Sequence, residues 1–218
     1  GIGRRQRQMC IRDRKKGIVP VIQGKDSVIQ AQSGCGKTGT FSIASLQLID
    51  ESIKSCQIII LSPTREIADQ SFIVIRNLSE FLNINISPVI GGKKLKMDEV
   101  GKSQILVATP GRIYDMINRG VINMSTLKLF ILDEADQMLN KGFQEQIIEI
   151  LKFVPQSSQI AIYSATMPND VLLLTKEFMK NPIQILVKKE DLTLEGISQY
   201  YISLETEQEK YETLCDLY

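Results

Sequence analysis

Between residues 27 and 187 the chain repeats one pattern: a short apolar run, then a stretch whose apolar residues return every three or four positions. The runs are SVIQA (27–31), QIIIL (57–61), INISPVI (84–90), QILVA (104–108), KLFILD (128–133), QIAIYS (159–164) and IQILV (183–187). Several are unbroken Ile, Leu and Val rather than an apolar–polar alternation, which marks strands covered on both faces. Between them, three sets repeat at helical spacing: Phe41, Ala44, Ser45 and Leu48; Ile73, Ile75, Leu78 and Leu82; Phe143, Ile147, Ile148 and Leu151. Strands alternating with helices predict an α/β fold over residues 17–187. The expected form is a doubly wound parallel sheet that receives ligands at the carboxyl ends of its strands. No internal repeat or low-complexity tract breaks the pattern.

The two ends read differently. Residues 188–198 (KKEDLTLEGIS) are polar and predict a linker. QYYISL (199–204) predicts a new strand, followed by a helical segment that runs to Tyr218. One strand and one helix cannot bury a core, so 199–218 read as the start of a truncated second domain, and Gly1 in place of Met reads as a fragment. At the other end, residues 1–16 hold Arg4, Arg5, Arg7, Arg12, Arg14, Lys15 and Lys16 against Asp13, which leaves 19 basic and 24 acidic residues elsewhere. The formal net charge of +1 therefore averages a basic tract and a mildly acidic body. Any binding of nucleic acid by that body cannot rest on a broad basic surface.

Composition narrows the chemistry. There is no histidine, and Cys10, Cys35, Cys56 and Cys215 show no metal-ligand spacing, which excludes a zinc site and a histidine-based triad. The cysteine usage fits a reducing compartment, and no run reads as a secretory signal or a membrane span.

AQSGCGKT (31–38) follows the first strand and opens a helix near Gly36. Ala31, Gln32, Ser33, Gly34, Cys35, Gly36, Lys37 and Thr38 thus have the context of a phosphate-binding loop. Backbone N–H groups and the helix N-terminus face an anion there, and Gly34 and Gly36 permit close approach. Lys37 would pair with β- and γ-phosphates, and the Thr38 hydroxyl would ligate Mg²⁺. The bland alternative is an ordinary glycine-rich turn. ILDEAD (131–136) ends an apolar run in Asp133, placing a carboxylate at a strand's carboxyl end. Asp133 would hold Mg²⁺ through water and Glu134 would orient and deprotonate the attacking water; the competing reading is an acidic helix start. YSATMP (163–168) offers Ser164 and Thr166 as hydroxyls for Asp133 or Asp136, or Thr166 as a helix cap before Pro168.

AQSGCGKT, PTREIADQ (63–70), Gly91–Gly92, TPGR (109–112), DEAD (133–136) and SAT (164–166) stand in the order and approximate spacing of the DEAD-box RNA helicases. The chain resembles that family over residues 17–218. LVKKEDLTLEGISQYYISLE (186–205) and TLCDLY (213–218) look like its translation initiation factor 4A branch and close nuclear paralogues. The resemblance implies a RecA-like fold and RNA-stimulated ATP hydrolysis coupled to local duplex unwinding, with ATP and Mg²⁺ as cofactors. It assigns catalysis to Lys37, Asp133 and Glu134, the metal to Thr38 and Asp133, and coupling to Ser164, Ala165, Thr166 and Asp136. It lays single-stranded RNA along Pro63, Thr64, Arg65, Gly91, Gly92, Thr109, Pro110, Gly111 and Arg112, with contacts to the sugar–phosphate backbone that need few net positive charges. A translation-initiation scaffold or another helicase cofactor protein is an implied partner, no membrane is, and the cytoplasm (or the nucleus, for a nuclear paralogue) is the implied location. A non-catalytic RNA- or protein-binding module with a vestigial nucleotide site is the alternative from another class, and a DNA-directed ATPase fits the full motif set less well.

Two departures stand beside the resemblance. Where the family carries an aromatic residue and an adenine-reading Gln, alignment of GIVPVIQGKD (17–26) puts Arg14 in place of that Gln and Asp13 in place of its Ile neighbour, with no aromatic partner. Gln23 and Gln30 lie at the wrong distance to replace the reader. Residues 1–16 accordingly read as a cloning or assembly artefact, and selectivity for ATP is expected to be poor. The family's second domain also supplies arginines to the transferring phosphate. The chain by itself is therefore expected to bind nucleotide weakly, hydrolyse it slowly and not unwind duplexes.

Overall fold

Ile58, Ile59, Ile60 and Leu61 have no exposed surface at all, which explains an uninterrupted apolar run. They form β2 (Ile58–Leu61), enclosed by β4 (Ile105–Ala108) and β5 (Leu129–Asp133) within a seven-stranded sheet. The other strands are β1 (Ser27–Gln30), β3 (Ile86–Val89), β6 (Gln159–Ser164) and β7 (Ile183–Ile185). The order is β3-β4-β2-β5-β6-β1-β7, and every pairing is parallel. All seven runs picked out in the sequence are strands of this sheet. The computed structural model describes residues 15–31, 36–92, 96–140, 142–186 and 200–217.

Successive strand residues enter different cores, as the period of two requires. Ile58, Ile60, Leu129, Ile131, Ala161 and Tyr163 join one cluster. It is closed by Val21 of α1 (15–22), Phe41 and Ala44 of α2 (Lys37–Leu48), and Ala68 and Ile75 of α3 (Arg65–Leu78). Ile59, Leu61, Phe130, Leu132 and Ile162 join the other. Val100 of α4 (Met97–Gly101), Ile113 of α5 (Pro110–Asn118), Met138 of α6 (Ala135–Asn140), Ile147 of α7 (Gln144–Phe153) and Leu174 of α8 (Asn169–Phe178) close it. Burying one such aliphatic side chain stabilises by about 1.5–3 kcal/mol, so truncating Ile60 to Ala costs about 2–5 kcal/mol.

One helix differs from its expected face. Ile73 and Leu78 of α3 are half exposed, and Leu82 lies beyond its end. The buried face is Ile75, as expected, with Ala68 and Ser71, two small residues that let α3 lie close beside α2. A buried carboxylate also staples the sheet: Asp26 accepts from Ile160 N (2.8 Å) and Lys180 N (2.6 Å), tying the start of β1 to the start of β6 and the approach to β7.

The chain divides into two compact units, Gly1–Val187 and Lys188–Tyr218. In the second, α9 (Glu207–Asp216) starts at Thr206, whose Oγ1 accepts from Glu209 N at 3.2 Å. The strand expected at 199–204 does not form over 200–204, where no partner strand is present to complete a ladder among the described residues. Residue 199 and the linker 188–198 lie outside the described residues, as do 1–14 with Asp13 and Arg14. Among the described residues no helix is long and apolar enough to cross a membrane.

Candidate functional site at the carboxyl edge of the sheet

β1 ends at Gln30, and α2 begins at Lys37 after an N-cap Gly36 in the left-handed region (φ 86°, ψ 29°), where a side chain would be strained. Gln32, Ser33, Gly34 and Cys35 lie outside the described residues; Ala31, Gly36, Lys37 and Thr38 flank them at the edge. Lys37 is 7% exposed, and its Nζ stands 2.8 Å from Glu134 Oε1. That ion pair engages one side of the ammonium and leaves its remaining donors, like the buried Glu134 Oε2, without a partner among the described residues. Glu134 has φ 52°, an uncommon conformation for a residue with a side chain, and it is held by Gln137 N and Met138 N donating to its carbonyl. Beside it Asp133, the last residue of β5, is 3% exposed. Burial, with the Glu134 charge added, pushes its carboxyl up to about 7 against the opposing pull of Lys37.

The structure chooses Asp136 over Asp133 as partner of the 164–166 hydroxyls. Thr166 donates to Asp136 Oδ2 through Oγ1 (2.6 Å) and N (3.1 Å), and Asp136 N donates to Ser164 Oγ (3.2 Å). Burial pushes the Asp136 carboxyl up, but hydrogen bonds with Thr166, Ser164 and Gln137 outweigh it and hold the carboxyl below its usual value. Thr166 is no cap; Pro168 occupies that position for α8. The same segment is tied to the end of β1: Ala31 N donates to Ser164 O (3.0 Å) and Gln30 Nε2 to Ala165 O (3.2 Å). Gln30, set aside as an adenine reader, thus links the phosphate-loop strand to 164–166. A polar residue inside an apolar run was the only sign of it.

Beyond β5, the ends of β2, β3 and β4 carry the second group. Pro63 is buried, and Thr64 caps α3 by accepting from Ile67 N at 3.3 Å. Arg65 lies across the Gly91–Gly92 turn: a Cβ on Gly91 would sit 2.9 Å from Arg65 Nη2, and Gly92 has φ 82°. Gly92 is required by its backbone conformation, whereas a side chain at Gly91 would displace only the end of the Arg65 side chain. Thr109 N donates to Val89 O (3.3 Å), and Pro110 opens α5 with no side-chain cap on its first N–H groups. Arg112 pairs with Asp115 (3.2 Å) while its buried Nε has no partner among the described residues. Gln146 of α7, which sequence reasoning passed over, places a buried Oε1, unpartnered among the described residues, at 3.6 Å from where a Gly111 Cβ would stand. A lone Gln near an apolar helix face gave no distinguishing signal.

The arrangement is one continuous edge with two chemistries, and the chain as a whole matches the DEAD/DEAH box helicases over residues 12–174. The chain belongs to that family. It is 53% identical over 207 residues to the ATP-dependent RNA helicase eIF4A of Kluyveromyces lactis, covering 94% of this chain and 52% of that relative. It is 51% identical to the Neosartorya fischeri protein of the same name over the same shares. Among solved structures it resembles a DEAD box protein from Methanococcus jannaschii (TM-score 0.77, 37% identity, 94% of this chain and 56% of that one). It also resembles Saccharomyces cerevisiae Dbp5 bound to RNA and ADP BeF3 (TM-score 0.81, 30% identity, 88% and 49%). These family structures share the RecA-like α/β fold. The chain spans about half the length of the curated relatives it matches.

Proposed function

We propose that this chain is the nucleotide-binding part of an ATP-dependent RNA helicase of the eIF4A type, holding ATP with Mg²⁺ at the ends of β1, β5 and β6 and single-stranded RNA along the ends of β2, β3 and β4. The observation that carries the reading is the buried Lys37–Glu134 pair with Asp133 beside it, at the start of a helix whose N-cap is a left-handed glycine. The remaining donors on Lys37 and the Glu134 Oε2, unpartnered among the described residues, are what a phosphate oxygen and a water would satisfy. In that role Lys37 neutralises phosphate charge at its ammonium, and Glu134 takes the proton of the attacking water at Oε2. Asp133 and the Thr38 hydroxyl would hold Mg²⁺, which when bound lowers the charge on the transferring phosphoryl group.

RNA as partner is supported by the family and by the Dbp5 structure solved with it. On this reading Arg65, the uncapped start of α5 at Thr109–Pro110–Gly111, and Arg112 contact phosphates, a mode that tolerates a weakly acidic body. Residues 164–166 and Asp136 relay the state of the nucleotide loop into α6. A helicase cofactor or translation-initiation scaffold and a cytoplasmic (or nuclear) location complete the proposal. Free cysteines at Cys56 and Cys215 fit a reducing compartment. The test is equilibrium binding of ATP and of a single-stranded RNA oligonucleotide to the chain, with and without Mg²⁺. Mg²⁺-dependent ATP binding that is lost in Glu134→Gln/Lys37→Ala, with RNA binding intact, is expected; no nucleotide binding by the parent chain would overturn the reading.

A further inference from the structure

Among the described residues Tyr163 is the largest of the fully buried side chains, and its hydroxyl has no hydrogen-bond partner there. A phenylalanine would fill the same space and keep the same edge-on contact with Phe41 of α2, whose ring centroid lies 5.4 Å away at 68°. An unpaired buried hydroxyl is costly, so its retention calls for a partner in some state of the protein. The sheet register shows where that partner is. Tyr163 of β6 stands directly beside Asp133 of β5 on one side and Ile29 of β1 on the other. Ile131, two residues before Asp133, packs in the same core cluster as Tyr163, so Asp133 and Tyr163 share the face covered by α2. A phenol at neutral pH is a neutral hydroxyl that can donate.

We propose that the Tyr163 hydroxyl is a positioning group for Asp133, donating a hydrogen bond to its carboxylate when that carboxylate serves Mg²⁺ beside a bound nucleotide. This rests on the nucleotide-site reading given above. An ionised carboxylate is a stronger acceptor than a neutral one, and a donor on the β6 side fixes its orientation without competing for the cation. Tyr163 touches neither nucleotide nor metal in this role; it acts through Asp133.

Tyr163→Phe tests it, with ATP titrated into the chain at graded Mg²⁺ and, separately, in EDTA. The variant is expected to melt at or above the parent temperature, because an unpaired buried hydroxyl has gone. It should bind ATP in EDTA as the parent does, yet need about tenfold more Mg²⁺ to reach the same ATP affinity. Equal Mg²⁺ dependence in parent and variant would leave Tyr163 a core aromatic and overturn the proposal. If the parent's ATP binding ignores Mg²⁺, the reading of the site fails first and the proposal falls with it.

Discussion

At the ends of β1, β5 and β6 the polar groups are side-chain charges taken out of water; at the ends of β2, β3 and β4 they are backbone groups, glycines and side chains largely left in it. Lys37, Asp133 and Asp136 are buried, and the Lys37–Glu134 pair is nearly so. Arg65, Gly92 and Gly111 are exposed. The first construction suits a point of chemistry: charges held in a low-dielectric place act strongly and need no rearrangement when charge develops. The second suits a repeating ligand, since backbone donors and an arginine read a phosphate chain without reading its bases. One sheet edge carries both because β2 and β5 are neighbours, so the division falls between adjacent strands.

The strongest way to break the comparison is Lys37→Ala. It leaves Glu134 buried without its counter-charge, and breaking a buried pair from one side costs about 3–5 kcal/mol. Urea denaturation should show that loss, and ATP binding should disappear. Single-stranded RNA affinity, under conditions where the variant stays folded, should stay within about twofold, the spread expected of sites that share no partners. A parallel loss of RNA affinity would mean that the two halves are not separate constructions.

Asp133 gives the next largest effect, with a sign that distinguishes it from an ordinary surface carboxylate. Its folded pKa of about 7 lies above the unfolded value near 4. Between those values the folded chain holds a proton that the unfolded chain has released, so stability without Mg²⁺ falls as pH rises from about 4 to about 7 and then levels off. Asp133→Asn removes that slope and should be the more stable form above pH 7, by up to about 4 kcal/mol. Denaturation midpoints at pH 5, 6, 7 and 8 in EDTA check it; a parent curve that is flat or rising through this window contradicts the burial argument.

On the other half, Gly92→Ala should cost about 1–2 kcal/mol by straining a left-handed turn, while Gly91→Ala should cost little stability and displace the Arg65 guanidinium. Their signature is selectivity: weaker RNA binding by fluorescence anisotropy, with ATP affinity unchanged. If ATP binding weakens equally, the turn is a general structural element and Arg65 has no special charge.

The fold was legible because a parallel sheet covered on both faces writes itself as runs such as QIIIL and QILVA. The site was legible because its residues cluster at the ends of those runs. What escaped notice was set by contacts between segments distant in sequence. Gln30 bonds Ala165, Tyr163 meets Asp133 through strand register, and Gln146 reaches Gly111 through helix packing. None of these has a local pattern. The exposed Ile73 and Leu78 show the converse: of that helical set Ile75 made the core contact, joined by the small residues Ala68 and Ser71. The strand expected at 199–204 does not form over 200–204 for a related reason, since Tyr200, Tyr201 and Ile202 have strand character while a ladder needs a second strand.

Thr166→Val makes the smallest change and the most searching one. It removes the Oγ1 bond to Asp136 while leaving the Thr166 N–H and Ser164 bonds in place. Thr166 is exposed, so the stability loss should be about 1 kcal/mol or less. Its direction with pH follows from Asp136, whose folded pKa is depressed: the stability it contributes is present above the unfolded value near 4 and is lost as pH falls through the folded one. The variant should therefore differ from the parent at neutral pH and converge with it in acid. On the proposed reading the affinities for ATP and for RNA, each measured alone, should barely move, while the factor by which each ligand tightens the other shrinks equally for both, as linkage demands. An unchanged factor would show that the bond between Thr166 and Asp136 holds the two segments together without carrying anything between the two halves of the edge.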